Sequence, residues 1–301
     1  MDHDRGVGRT LAKDLVSSQF PALAPVETEY LGEGCDSVAF VVNGRLVFRF
    51  PKRADIDEQL VREFDLLPVV ARHVGVPIPI YTHMGRPSTA FGFHFGGYSL
   101  IRGVTANLVD VASLPVAQLA VTLGRALGGL HAWDPREAAR NGVPMTSVES
   151  LMDEVRGDAV DDFGLLAGVA PGAPLDRWRR YIDSPPRPGT SVHAVVVHAD
   201  LSAEHVVLDE ASNTVAGIID WSEIAISDPA LDFAGLFHWG GRPMVDAMLD
   251  AYTAALPDEA SLERARYLAA CRGVADVRFG LDRARPEYVR GGLRALYLCV
   301  E

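Results

Sequence analysis

The stretch that decides the fold is Ala194-Val195-Val196-Val197-His198-Ala199-Asp200-Leu201-Ser202-Ala203-Glu204-His205-Val206-Val207-Leu208. After a turn it resumes as Val215-Ala216-Gly217-Ile218-Ile219-Asp220-Trp221-Ser222-Glu223. Three short apolar, β-branched runs are each bounded by polar or turn-forming residues, the pattern of buried strands. Asp209-Glu210-Ala211-Ser212-Asn213 provides the turn between the second and third. Polar side chains at the ends of such strands are held rigidly at a surface, so Asp200, His205 and Asp220 are expected on one small β scaffold. One carboxylate placed to accept a proton, and another paired with a second ligand around Mg²⁺, is what phosphoryl transfer to a hydroxyl requires. A lone Asp after a buried strand is commonly a turn cap; the chemical reading rests on His198, His205 and Asp220 lying around Asp200.

Towards the N-terminus, Leu11, Leu15, Val16 and Phe20 repeat at helical spacing before Pro21 and Pro25. Strands are expected at Glu27–Leu31, Val38–Val42 and Arg45–Phe50, the last two joined at Asn43-Gly44, a strong hairpin signal because both central residues of a type I′ turn need positive φ. A helix follows from about Asp55, with Ile56, Leu60, Phe64 and Leu67 on one face; Pro68 is expected to kink or end it. Pro77 to Tyr81 reads as extended and Phe91 to Leu100 as one or two further strands.

From Leu114 the pattern becomes helical, with Leu119, Leu123, Leu127 and Leu130 leading to His131, then Leu151, Val155 and Trp178 in a second helical region. The run Pro185-Pro186-Arg187-Pro188-Gly189 connects this region to the site strands, and Asp232 to the C-terminus reads as mainly helical. No internal repeat or low-complexity segment occurs.

The chain has 301 residues, enough for one large domain or two lobes, and is 48% hydrophobic with a mean hydropathy of +0.10, indicating an ordered globular core. No apolar run reaches the roughly 18 residues that span a bilayer, and Met1-Asp2-His3-Asp4-Arg5 lacks the form of a signal peptide. A cytoplasmic protein without a membrane partner is expected. Cys35, Cys271 and Cys299 show no paired spacing, so no disulfide framework is expected. The net charge of −12 argues against a nucleic-acid partner and suits a cationic small substrate. Of the 28 basic residues only Lys13 and Lys52 are lysine, which limits any lysine-specific role. No Walker A sequence is present, and no Gly-x-Gly-x-x-Gly opens a helix, which disfavours P-loop and Rossmann folds.

His198-x-Asp200-x4-His205, followed by Ile219-Asp220-Trp221-Ser222-Glu223 and Asp228-Pro229-x2-Asp232-Phe233, resembles the antibiotic kinases, the aminoglycoside and macrolide phosphotransferases. His205, where most such enzymes carry Asn, is similar to the aminoglycoside 2''-kinase and macrolide 2'-kinase branches. The resemblance runs from about Leu31 to the final helices. It implies an α+β, two-lobed protein-kinase-like fold, with a β-rich N-lobe over residues 1–102 that ends in the connector and a mainly helical C-lobe over 103–301.

It further implies Asp200 as catalytic base, His205 and Asp220 as ligands of Mg²⁺, and His198, Asp228 and Asp232 as structural support, Asp232 holding backbone or His198. His is a less comfortable Mg²⁺ ligand than Asn and would also admit Mn²⁺. Gly32, Gly34 and Ser37 would lie over the phosphates of ATP or GTP. Arg49, where kinases carry Lys, would pair with Glu63 and anchor the nucleotide, with Lys52 as the alternative. Leu100, Ile101 and Arg102 would meet the purine edge. Glu223, Asp246, Asp276 and Asp282 are candidates to contact the acceptor. The expected activity is transfer of a γ-phosphate to a hydroxyl of an antibiotic-like molecule, an aminoglycoside or alternatively a macrolide, by a monomer; antibiotic resistance is one role this would serve, and an unrelated metabolite as acceptor, with resistance incidental, is also open. Two rivals stand beside it: a metal-dependent hydrolase using His193, His198, Asp200 and His205, and a kinase-fold protein that binds nucleotide or ligand without turnover.

Overall fold

The computed structural model describes residues 7–186 and 194–300. The chain divides into two compact units, one running to Arg72 with Pro77–Arg102, the other comprising His73–Val76 and the chain from Gly103. Arg187, Pro188, Gly189 and His193 lie outside the described residues.

The first unit is an antiparallel sheet with two helices. Helix α1 (Arg9–Gln19) precedes β1 (Thr28–Glu33), β2 (Ser37–Val42), β3 (Leu46–Pro51), α2 (Ala54–Val74), β4 (Tyr81–Gly85) and β5 (Phe95–Ser99), in sheet order β1-β2-β3-β5-β4. Asn43 and Gly44 both take positive φ, 51° and 63°, at the β2–β3 turn. Strand β2 alternates between buried and half-buried positions, as a pleated strand with one face on a core must. Val38, Phe40, Phe48, Phe50 and Phe95 pack with Ala12, Leu15 and Val16 of α1, and the Phe50 and Phe95 rings stack at 5.1 Å. The pleat sends Arg49 to the face opposite Phe48 and Phe50, where it stands opposite Gly96 of β5.

Helix α2 runs through Pro68 rather than ending there. Pro68 lies on the exposed face, and the helix carries it at the cost of one intrahelical hydrogen bond. Of the extended stretches expected beyond α2, strands form only at Tyr81–Gly85 and Phe95–Ser99.

In the second unit β6 (Val104–Thr105) leads to α3 (Val116–His131), α4 (Pro135–Arg140), α5 (Val148–Asp162), α6 (Leu166–Val169) and α7 (Leu175–Ile182). Then come β7 (Val195–Val197), β8 (Val206–Leu208), β9 (Val215–Ile218), β10 (Ala225–Ser227), α8 (Ala230–Leu249), α9 (Glu259–Asp282) and α10 (Pro286–Val300). Strands β6-β8-β9 form one small sheet and β7 pairs with β10 in another. The three runs that opened the reading are thus strands, and the fold is α+β. Leu119, Leu123, Leu127 and Leu130 of α3 are all buried. Helix α9 packs on α8 and α10, and α3 on α8. Helix α8 is broken at Gly241 (φ 66°), two residues before Pro243.

Candidate active site

Two tight turns at strand ends present the acids. Asp200 follows β7 through Ala199, whose φ is +67°, and Asp220 follows β9 with φ +60°. The left-handed region is unfavourable for a residue with a Cβ, less so for Asp than for Ala, and persists only where surroundings impose it.

Asp232, in the first turn of α8 and fully buried, imposes it here. Its Oδ1 accepts the Ala199 amide at 2.8 Å, and Oδ2 accepts both the His198 amide at 3.0 Å and the His131 ring at 2.9 Å. On its other side the His131 ring meets the Tyr252 hydroxyl at 2.6 Å. Helix α8 reaches the loop because it carries Gly235, where a Cβ would run into the Leu201 carbonyl. Asp228, also buried, receives Arg264 Nε at 2.7 Å, the Ser261 hydroxyl at 2.9 Å and the Ala230 amide at 2.9 Å, tying α8 to α9.

His198 uses both ring nitrogens on backbone: Nε2 lies 3.1 Å from the Ile219 carbonyl, and Nδ1 accepts the Asp200 amide at 3.3 Å. Burial, the largest influence, lowers its pKa, so the ring is neutral with the proton on Nε2. It bridges the two acid-bearing turns and has no lone pair left for a metal.

His205 stands between the acids. Its Nδ1 is 2.7 Å from the Asp200 carbonyl and 3.5 Å from Asp200 Oδ2, while Nε2 is 3.7 Å from Asp220 Oδ2. Burial, again the largest single influence, lowers the His205 pKa, but Asp200, Asp220 and Glu204 together raise it above the ordinary histidine range. With Nδ1–H donated to the Asp200 carbonyl, Nε2 and the Asp220 carboxylate face each other as a nitrogen–oxygen pair that a cation suits. Among the described residues no group of three metal-capable side chains could hold an ion alone. Two protein ligands fit Mg²⁺, which keeps several waters and takes further oxygens from phosphate. A hydrolase cluster through His198 does not fit, and its fourth member, His193, is outside the described residues.

Asp200 has a partner that was not expected. Arg272 of α9 donates to its Oδ1, and both side chains are 31% exposed. They line a cavity of about 190 Å³ with Glu223, Leu231 and Leu268. A second cavity of about 500 Å³ is lined by Asp110, Glu204, Asp276, Tyr288, Arg290 and Arg294, among others. Asp276 Oδ2 is 3.0 Å from His238 Nε2, without hydrogen-bond alignment. Asp246 and Asp282 are not brought to either cavity: both are exposed and hold Arg242 and Arg278 one turn away on their own helices.

In the first unit Arg49 meets Glu63 at 3.4 Å, and the pair is nearly buried at 13% and 5% exposure. Glu63 also accepts the Tyr81 hydroxyl at 2.9 Å. Lys52 is engaged elsewhere, on Glu33 at 2.5 Å and the Gly34 carbonyl at 2.7 Å. Gly32 and Gly34 have open space where a Cβ would stand, and the Gly34 amide donates to the Ser37 carbonyl. The Leu100 amide donates to the Arg45 carbonyl at 2.9 Å and Arg102 to the Gly44 carbonyl at 3.1 Å. Leu100 therefore has no free N–H for a purine edge. Arg272, Arg264 and His131 were missed in the sequence; the one visible hint was charge within an otherwise apolar α9 run, Tyr267-Leu268-Ala269-Ala270-Cys271-Arg272-Gly273-Val274.

Comparison with known proteins gives a family-model match to APH, the phosphotransferase enzyme family, over residues 27–267. An uncharacterized protein of Bacillus subtilis (strain 168), YcbJ, is 25% identical over 198 residues, 62% of this chain and 60% of that protein's length. Among solved structures, the GDP and kanamycin complex of APH(2")-IIia is 29% identical, covering 95% of this chain and 97% of that one with a TM-score of 0.71. The GDP complex of wild-type aminoglycoside 2'-phosphotransferase-IIIa is 27% identical, covering 97% and 98%, with a TM-score of 0.72. Macrolide 2'-phosphotransferase MphH from Brachybacterium faecium, at 22% identity over 96% and 97% of the chains and a TM-score of 0.58, shares the fold. A family match across most of the chain, joined to a kinase-like α+β fold, establishes that this chain belongs to the phosphotransferase enzyme family and is a small-molecule kinase.

Proposed function

We propose that the chain transfers the γ-phosphate of a nucleoside triphosphate to a hydroxyl of an aminoglycoside-like acceptor, in a Mg²⁺-dependent reaction. The observation that carries this reading is the His205 ring set between the Asp200 and Asp220 carboxylates, 3.5 and 3.7 Å away. Asp200 would take the proton of the acceptor hydroxyl as its oxygen forms the bond to Pγ and the nucleoside diphosphate leaves. Asp220 and His205 Nε2 would hold Mg²⁺, which when bound neutralises charge on the phosphate oxygens; Mn²⁺ would also be accepted.

Arg49 is the better candidate than Lys52 to anchor phosphate, because Glu63 and Tyr81 fix its surroundings while Lys52 is occupied. Gly32, Gly34 and Ser37 would cover the phosphates. The connector's purine contacts would come from Leu100 C=O, Ile101 and Arg102, since the Leu100 amide is already bonded. Two relatives at 27–29% identity are GDP complexes, which supports GTP as donor beside ATP. Glu223 and Asp276 would face the acceptor; Asp246 and Asp282 would not.

The test is incubation of purified protein with GTP or ATP, Mg²⁺ and kanamycin or a macrolide, read by acceptor mass. A gain of one phosphoryl group on kanamycin is expected, lost in Asp200→Asn and Asp220→Ala. Phosphorylation of the macrolide alone would replace the aminoglycoside assignment. Retained turnover in Asp220→Ala would end its metal role.

A further inference from the structure

One oxygen of the Asp200 carboxylate, Oδ1, is already engaged in this structure. Arg272 reaches it from α9 and donates to Oδ1. The guanidinium is not buried behind the site but stands in the wall of the 190 Å³ cavity that Asp200 also lines. Along α9, Leu268 and Arg272 line this cavity, while Asp276, one turn on, lines the 500 Å³ one. Along α8, Leu231 and Ala234 line the smaller cavity and His238 the larger. Arg272 therefore stands in the smaller cavity beside Asp200, one helical turn from Asp276 in the wall of the larger one. Burial disfavours its charge, yet Asp200, Asp276 and Glu204 together raise its pKa above the usual arginine range.

A cation bonded to the base and attracted by two further carboxylates has the chemistry that an acceptor ammonium near the reacting hydroxyl would have. We propose that Arg272 is a tethered stand-in for that ammonium: it closes the acceptor side of Asp200 in the empty enzyme and is exchanged for a cationic group of the acceptor. This rests on the kinase reading above and adds a selection rule to it. An acceptor with an ammonium close to its hydroxyl replaces the lost charge on Asp200, Glu204 and Asp276; a neutral molecule leaves carboxylates uncompensated when the arginine departs. With Arg272 on Oδ1, one of the two base oxygens is closed to an attacking water, which limits nucleotide spending by the empty enzyme.

Calorimetric titration without nucleotide reads the exchange directly, using kanamycin as the polyammonium probe and fully N-acetylated kanamycin, which has no ammonium, as the control. Arg272→Met removes the competing cation, so kanamycin is expected to bind about tenfold tighter, equal to about 1.4 kcal/mol. The N-acetylated control is expected to change less than threefold, and Arg272→Lys to behave as the unmodified protein. Acceptor-free nucleotide hydrolysis is expected to rise in Arg272→Met. A kanamycin dissociation constant that tightens less than threefold, or weakens, overturns the proposal. So does equal tightening for the N-acetylated control, which would mean simple widening of the cavity.

Should Arg272→Met not fold, the Arg272 Nε–H resonance of the unmodified protein is followed during kanamycin titration. A shift supports exchange and an unmoved resonance overturns it. Binding and phosphoryl transfer are measured separately. Kanamycin that binds and exchanges with Arg272 but gains no phosphoryl group defeats the proposed aminoglycoside-phosphorylating activity alone.

Discussion

Asp232 offers the sharpest test of how the site is held, because one carboxylate supports three donors in a fully buried setting. Oδ1 serves the Ala199 amide, while Oδ2 serves the His198 amide and His131 Nε2. In Asp232→Asn one oxygen becomes an NH₂ group. If the remaining oxygen stays on Ala199, the NH₂ points at the His198 amide, donor against donor; His131 can shift its proton to Nδ1 and accept. Flipping the amide merely moves the orphan to Ala199. Either way one buried N–H loses its partner, which costs about 1–3 kcal/mol. Asp232→Ala orphans all three donors and is expected to cost roughly 4 kcal/mol or more, at the severe end for a single substitution.

The consequence is local as well as global. Ala199 is kept at φ +67° by this bond, and Asp200 follows it. A displacement of the base by about 1 Å is worth on the order of 100-fold in rate. In urea unfolding Asp232→Asn should lose about 2 kcal/mol of stability, and at 25 °C, still folded, its kcat should fall roughly 10- to 100-fold. The nucleotide KM should move little, since the substitution removes no nucleotide contact. If Asp232→Asn unfolds within about 0.5 kcal/mol of the parent and turns over at the parent rate, the carboxylate does not hold the loop and the argument fails.

Gly235→Ala should stabilise α8 by about 1 kcal/mol on helix propensity alone, but its Cβ would collide with the Leu201 carbonyl, a backbone atom that cannot swing aside. Net destabilisation with loss of turnover is expected, measured by urea unfolding and kcat; a more stable, active variant would refute the close approach. His198 is buried with a lowered pKa, so its neutral form is favoured by folding. Its contribution is present above the unfolded value of about 6.5 and is lost as pH falls through the folded value. Between pH 7 and 5 the urea midpoint should therefore drop less steeply in His198→Gln than in the parent; equal slopes would show that the ring is not held neutral.

Much of the fold was legible because its signals are local. Alternation in Val38–Val42, the Asn43-Gly44 turn and the leucine spacing of α3 each specify an element within a few residues. The valine-rich runs at 195–197 and 206–208 are unbroken because both faces are covered. Strands β6 and β10, of two and three residues, were not legible, since so short a segment is a strand only by virtue of its partner. Among the described residues no helix is long and apolar enough to cross a membrane. Cys271 and Cys299 are free and buried while Cys35 is free and exposed.

The site divides along the same line. Sequence alone determined that Asp200, His205 and Asp220 sit at strand ends within twenty positions of one another, because strand periodicity and short turns leave them nowhere else to go. Only the tertiary structure decided which partners reach them. Arg272 arrives on Asp200 from 72 positions away and Asp232 grips the loop from 33, while Asp246 and Asp282 point into solvent although their helices belong to the same unit. The rotation of α8 and α9 about their own axes sets those outcomes. It follows from packing against α3 and α10 and from the close approach at Gly235, neither of which any local pattern of residues encodes.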